Sequence, residues 1–223
     1  MNETPQFSVI RHNHTQLEIH FSKALDNATL YWTRDRDIHT AERNLITDRI
    51  SGPVYFDDPL QARQRIYFIV EHAQSSWLFG ERTLPISGIN NFRDFGGYRG
   101  AGGKRVKWGL LYRSNHLYNL TPQAQAYLEG LEVKTIIDYR SANEIAKSPN
   151  GFIGENKTFH LDATAQTAEL AAQFAAEPSN EDRALIESVI RDIPAELING
   201  QGGQVIEQYR HFVLSDKSKK AFK

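Results

Sequence analysis

Short apolar runs of period two, broken at close intervals by turn signals, constrain the first third of this chain more than any other feature. Leu17, Ile19 and Phe21 alternate with Glu18 and His20, Leu30 and Trp32 flank Tyr31, and Ile66, Phe68 and Val70 alternate with Tyr67, Ile69 and Glu71. Alternation of this kind marks half-buried strands, because successive side chains of a strand point to opposite faces. Asp26-Asn27, Ser51-Gly52-Pro53 and Asp57-Asp58-Pro59 fall between the runs as turns. The spacing predicts an all-β, sandwich-like domain over residues 1–83. Tyr31, Trp32, Tyr67 and Trp77 either pack between its strands or form a ligand-binding face.

The rhythm then changes. Thr121 followed by Pro122 reads as an N-cap with proline at the first helical position, and Gly130 as the stop of that helix. Val133, Ile136 and Ile137 predict a short strand of the kind buried in a parallel sheet. With a strand over Gly109 to Tyr112, the order becomes strand, helix, strand, a unit whose ligand side lies at the carboxyl ends of its strands. Arg113 and Arg140 both fall at those ends. Further on, residues 157–161 suggest another strand, and 163–176, 181–192 and the segment from 204 show helical spacing of apolar residues. Lys217 to Lys223 read as the lead-in to a further strand.

Within this second part an Arg stands three times beside an Asp or Ser: Arg93-Asp94, Arg113-Ser114, and Asp138-Tyr139-Arg140-Ser141. Guanidinium groups at the edges of apolar runs suit recognition of an anion such as phosphate. The segments Asn91 to Tyr98, Tyr112 to Ser114, and Asp138 to Ser141 with Glu144 resemble, in that order, the motifs of the bacterial tyrosine phosphatase-like family. They depart from it at Phe95 and Tyr139, where the family usually has Leu. The resemblance covers Pro85 to Pro149. It implies an α/β domain of the cysteine-dependent phosphatase type over residues 84–223, hydrolysing phosphate monoesters on protein Tyr or Ser, on a small molecule or on a phosphoinositide, without a metal or other cofactor. It also implies a later loop of His-Cys, five residues and Arg, from which a thiolate attacks phosphorus. This chain has no cysteine. The expectation is therefore an incomplete α/β domain, truncated before that loop, inactive alone and without a catalytic residue of its own.

What the resemblance carries over is a supporting or phosphate-binding wall: Asn91, Arg93, Asp94, Arg113, Ser114, Asp138 and Arg140. Several have a structural alternative. Arg93 and Asp94 form either a local ion pair that pins the loop entering the domain or a direct substrate contact. Gly96 and Gly97 suit a tight turn with positive φ. Arg113 either faces the phosphate or orients the loop that does. Asp138 is either a general acid at a sheet end or the partner of Arg113 or Arg140 in a structural network. Ser141 and Glu144 read as a capping box, which explains both. His116 is the one histidine inside the motif region, as ligand or bystander. His12, His14 and His20 share a strand face, but without an acidic or Cys partner at ligand spacing they read as surface histidines, and no metal site is expected. The glycine-rich stretch Gly100 to Arg105 lacks the spacing of a phosphate loop and suits a hairpin turn.

Totals exclude several classes. A formal charge of −1, from 26 basic and 27 acidic residues, gives no reason to expect nucleic acid, so any electropositive site must be local. No run approaches the roughly 20 apolar residues of a membrane span, and the first residues lack the marks of a signal peptide, so a cytoplasmic protein is expected. The partner expected is a phosphorylated protein or small phosphomonoester. Two alternatives stand beside the enzyme: a non-catalytic phosphate-binding module, and an interaction protein working through its β domain.

Overall fold

A computed structural model of the protein describes residues 5–162, 210 and 213–221. Those residues are mostly sheet, arranged in several small sheets with few helices. The expected helices over 163–176 and 181–192 and the start of the segment from 204 lie outside the described residues.

The first seven strands are β1 (Phe7–Arg11), β2 (Gln16–Phe21), β3 (Thr29–Thr33), β4 (Asn44–Thr47), β5 (Val54–Asp57), β6 (Tyr67–His72) and β7 (Ser75–Gly80). They form two antiparallel sheets, of order β1-β2-β5 and β4-β3-β6-β7. Leu17 and Ile19 from one sheet and Leu30, Phe68, Val70 and Phe79 from the other meet in one buried cluster, which is the core the alternating pattern implied. Trp32 and Trp77, partly buried, pack against that cluster, and Tyr67 is buried. In β6 the alternation was expected to leave Tyr67 and Ile69 on an open face. Both are instead buried, outside the sandwich cluster, and the Tyr67 hydroxyl lies against Gly109. The sheet's second face is therefore also covered, and chain beyond residue 84 does part of the covering.

Beyond the sandwich come β8 (Arg93–Asp94), β9 (Tyr112–Arg113), helix α1 (Pro122–Gly130), β10 (Thr135–Asp138), helix α2 (Ala142–Lys147) and β11 (Lys157–His160), and near the end helix α3 (Asp216–Ala221). Thr121 caps α1 as its sequence suggests, its hydroxyl accepting from the Ala124 amide at 3.1 Å. The expected strand, helix, strand unit is not formed as such. β9 pairs antiparallel with β8, while β10 pairs parallel with β11. Arg93 and its neighbours offer β9 a nearer edge, so the local antiparallel ladder takes the strand. Residues 217–221, expected as a lead-in to a strand, lie in α3. The glycine-rich stretch is a hairpin, with Arg99 and Arg105 paired across it and a 3-10 turn at Ala101–Gly103.

By its contacts the chain divides into two compact units, residues 1–134 with 150–155, and 135–149 with 156–223. No helix among the described residues is long and apolar enough to cross a membrane.

Candidate functional site

In the first unit, β8 separates its side chains by face. Phe92 and Asp94 are buried, at 4% and 0% exposure, and Arg93 between them is exposed. Asp94 is held by three donors: the Gly96 amide at 2.8 Å on one oxygen, and the Gly109 amide at 2.9 Å and Arg65 Nη2 at 3.2 Å on the other. Arg65, equally buried beside β6, also donates to the Glu81 carbonyl at 2.7 Å. The main chain of Asp94 exchanges bonds with Arg82, whose Nη1 donates to its carbonyl at 2.6 Å and whose carbonyl accepts its amide at 2.9 Å. The ion pair expected between Arg93 and Asp94 is not formed: Asp94 pairs with Arg65, because Arg93 points to the opposite, exposed face. A carboxylate so enclosed has no face left for a substrate.

The two glycines after it serve two needs. Gly97 takes the positive φ (79°) that a side chain resists. Both make room for the Trp108 ring, Gly96 the more strictly, since a Cβ there would collide with it head-on. Asn91 also has positive φ (62°), a conformation that asparagine tolerates better than most residues.

Arg93 and Arg113 face each other directly across the β8-β9 ladder, and both are exposed. Like charges in that position repel. Among the described residues neither guanidinium has a carboxylate partner or a hydrogen bond, so the repulsion is not answered within the described protein. Ser114 turns its hydroxyl to the Asn115 carbonyl at 2.6 Å, and the Asn115 amide donates to the Asn90 carbonyl at 3.5 Å. His116 is exposed, edge-on to Tyr118 at 6.3 Å. Tyr112, beside Arg113, turns inward against Phe92, and burial pushes its phenol pKa far above the ordinary range.

The second unit holds the other group. Arg140 grips Asp138 at both carboxylate oxygens, at 2.6 Å through Nη2 and 2.9 Å through Nε, and its Nη1 donates to the Ser148 carbonyl at 2.7 Å. Hydrogen bonding to Asp138 raises the Arg140 pKa further above its ordinary value. Of the alternatives for Asp138, the geometry matches the paired one, with Arg140. Ser141 and Glu144 form the expected capping box of α2, the Ser141 amide donating to Glu144 Oε2 at 2.8 Å and the Glu144 amide donating to Ser141 Oγ at 3.3 Å. Arg93, Asp94 and Arg113 are thus brought together in one unit, and Asp138, Arg140 and Ser141 in the other.

Two features escaped the sequence. Arg65 stands next to the apolar run of β6, and a lone cation so placed is the signal that a buried carboxylate awaits it. The other is Glu18: against expectation, the strand-face histidines do have an acidic partner, His12 and His20 approaching its carboxylate at 2.9 and 3.0 Å. Period two puts residues 18 and 20 on one face, which makes this contact geometrically simple.

A family model described as "Tyrosine phosphatase family" matches residues 84–220. A curated protein of Cupriavidus necator named "Putative tyrosine-protein phosphatase" is 40% identical over 70 residues, which make up 31% of this chain and 25% of that protein. The chain thus spans a quarter of the length of the relative it matches.

Proposed function

This chain belongs to the tyrosine phosphatase family, and from that premise we propose that it serves the hydrolysis of phosphate monoesters, on a phosphorylated protein or a small molecule, by supplying the wall that recognises the phosphoryl group. The carrying observation is the Arg93-Arg113 pair: two exposed guanidinium groups opposed across a ladder, a placement that a shared dianion turns from repulsion into attraction. The wall rests on Asp94, whose three bonds fix β8. We take residues 1–83 as an accessory β domain and 84–223 as part of the phosphatase domain.

No residue of the chain can act as a thiolate nucleophile, because it contains no cysteine. A cysteine-dependent step must draw that group from outside these 223 residues. That same fact favours a second reading, a phosphate-binding module that binds without turnover. One comparison separates them: hydrolysis of an aryl phosphate by this chain, and by the chain extended by whatever codons follow it in the gene. Turnover only in the extended form, lowered by Arg113→Ala chiefly through a higher KM, supports the enzyme. Saturable binding of inorganic phosphate with no turnover in either form supports the module. Rapid turnover by this chain alone overturns the assignment of roles.

A further inference from the structure

Between Phe95 and Leu128 the sequence holds Arg99, Lys104, Arg105, Lys107 and Arg113 and not one carboxylate. In a chain whose charges otherwise balance, that is a local excess, and the fold concentrates most of it on the hairpin around residues 97–107. There Arg99 and Arg105 are paired across the strands, a second instance of like charges set opposite each other. The phosphate wall does not explain it, since neither Arg93 nor Arg113 lines the space beside this hairpin.

That space is a cleft of about 760 Å³ within the first unit, inside the range of specific binding sites. One side is β7, from Ser76 to Phe79, the outer strand of its sheet and hydrogen-bonded to β6 alone. The other side is the hairpin. Five cationic side chains line the cleft, Arg36, Arg82, Arg99, Arg105 and Lys107, against one carboxylate, Asp37. Three of the five are fixed in advance. Arg105 donates to the Gly97 carbonyl at 2.7 Å and Arg36 to the Gly109 carbonyl at 3.1 Å. Arg82 lies between the rings of Tyr98 and Trp108, at 4.1 and 4.8 Å from their centres. Aromatic surface runs along the same cleft in the half-buried rings of Phe7 and Trp77, 6.0 Å apart, with Phe7 stacked over the buried Phe79 at 4.5 Å.

We propose that this cleft is a docking groove for an extended acidic peptide of a partner protein, lying along β7 with carboxylate or phosphorylated side chains toward the hairpin. An unpaired strand edge offers main-chain donors and acceptors to an added strand. A strand that adds to it presents alternate residues to opposite sides, so the fitting segment has acidic residues in alternation with apolar ones, the latter against the half-buried rings of Phe7 and Trp77. Pre-fixed guanidinium groups bind an anion without first losing their own freedom. Concavity favours a peptide over a membrane surface, which cannot enter a cleft.

Two of the protein's three tryptophans, Trp77 and Trp108, line the groove, so its occupancy is readable by intrinsic fluorescence. The probes are a synthetic peptide alternating Glu and Leu, its Lys-Leu counterpart, and phosphatidylglycerol vesicles. The Glu-Leu peptide is expected to change the fluorescence saturably, more weakly as salt rises, and the Lys-Leu peptide not at all. The double variant Arg99→Glu, Lys107→Glu is expected to weaken the Glu-Leu peptide by about tenfold or more. Both side chains are exposed and carry no bond that the fold depends on. An unchanged melting curve and unchanged inorganic phosphate binding by this variant therefore assign the loss to the groove. No saturable change with the Glu-Leu peptide, equal binding of the Lys-Leu peptide, tighter binding of the vesicles, or an unaltered affinity in the double variant would each overturn the proposal.

Discussion

Asp94 ties three parts of the chain together, because its side chain satisfies two main-chain amides and one buried cation at once. Removing one partner of a buried charge pair leaves the other desolvated and alone, at a cost of about 3–5 kcal/mol. Asp94→Ala is accordingly expected to lower the unfolding free energy by about that much in urea titration. Buried phenols give a second test at this scale. Burial raises the pKa of Tyr112 and Tyr127 well above the ordinary value of 10.0. Both therefore stay protonated in the folded protein while the unfolded chain begins to ionise near pH 10. Their contribution to stability is whole below that pH and declines as pH rises beyond it. An alkaline titration followed by tyrosinate absorbance should show these two of the nine tyrosines ionising only as the fold is lost.

Among the elements, the short ones are held by their ends. Helix α2 has six residues, too few for propensity alone, and depends on its capping box. Ser141→Ala should cost about 1 kcal/mol, read as a shift in the denaturation midpoint. In the β8-to-β9 segment the glycines set the limit. Gly96→Ala drives a methyl into the Trp108 ring and should destabilise by about 1–3 kcal/mol. Gly130→Ala, at the end of α1 with open space around the new methyl, should be neutral or stabilise by up to about 1 kcal/mol. Comparing their melting temperatures checks both. Caps and turns were the legible part of these elements, because Thr121-Pro122 and Ser141 to Glu144 act through neighbours in sequence. Strand pairing was not: Tyr112 and Arg113 looked the same whether their partner was β8 or β10, since a ladder two residues long leaves no periodicity to read.

Across the whole molecule, the two sheets formed by the stretch before residue 84 were visible in period two. What stayed hidden was how that stretch meets the chain after it. A network of charge runs through that junction: Arg11 bonds Glu81 at 2.8 Å and Asp58 at 2.9 Å, and Arg65 bonds the Glu81 carbonyl and Asp94. Every member is a polar residue that composition places at the surface, and only long-range geometry puts it inside. The candidate wall was legible by residue type, but the opposition of Arg93 and Arg113 was not, because it depends on the register between strands far apart in sequence.

The Arg65-Asp94 bond also sets an order of events during synthesis. Arg65 leaves the ribosome before Asp94, and it lies over the Tyr67 ring, on the sheet face outside the sandwich cluster. Its guanidinium therefore stays in water until the chain near residue 94 arrives, so the sandwich cluster can close first and the second face of its sheet is completed later. Residues 1–83 made alone are expected to melt at lower temperature and with less cooperativity than the same stretch in the full chain. Arg65→Met should restore little of the difference, because in the fragment the guanidinium is already solvated and what is missing is the chain that covers its face. If the fragment with Arg65 intact melts as the full chain does, covering the second face adds nothing to the sandwich and the coupling is absent.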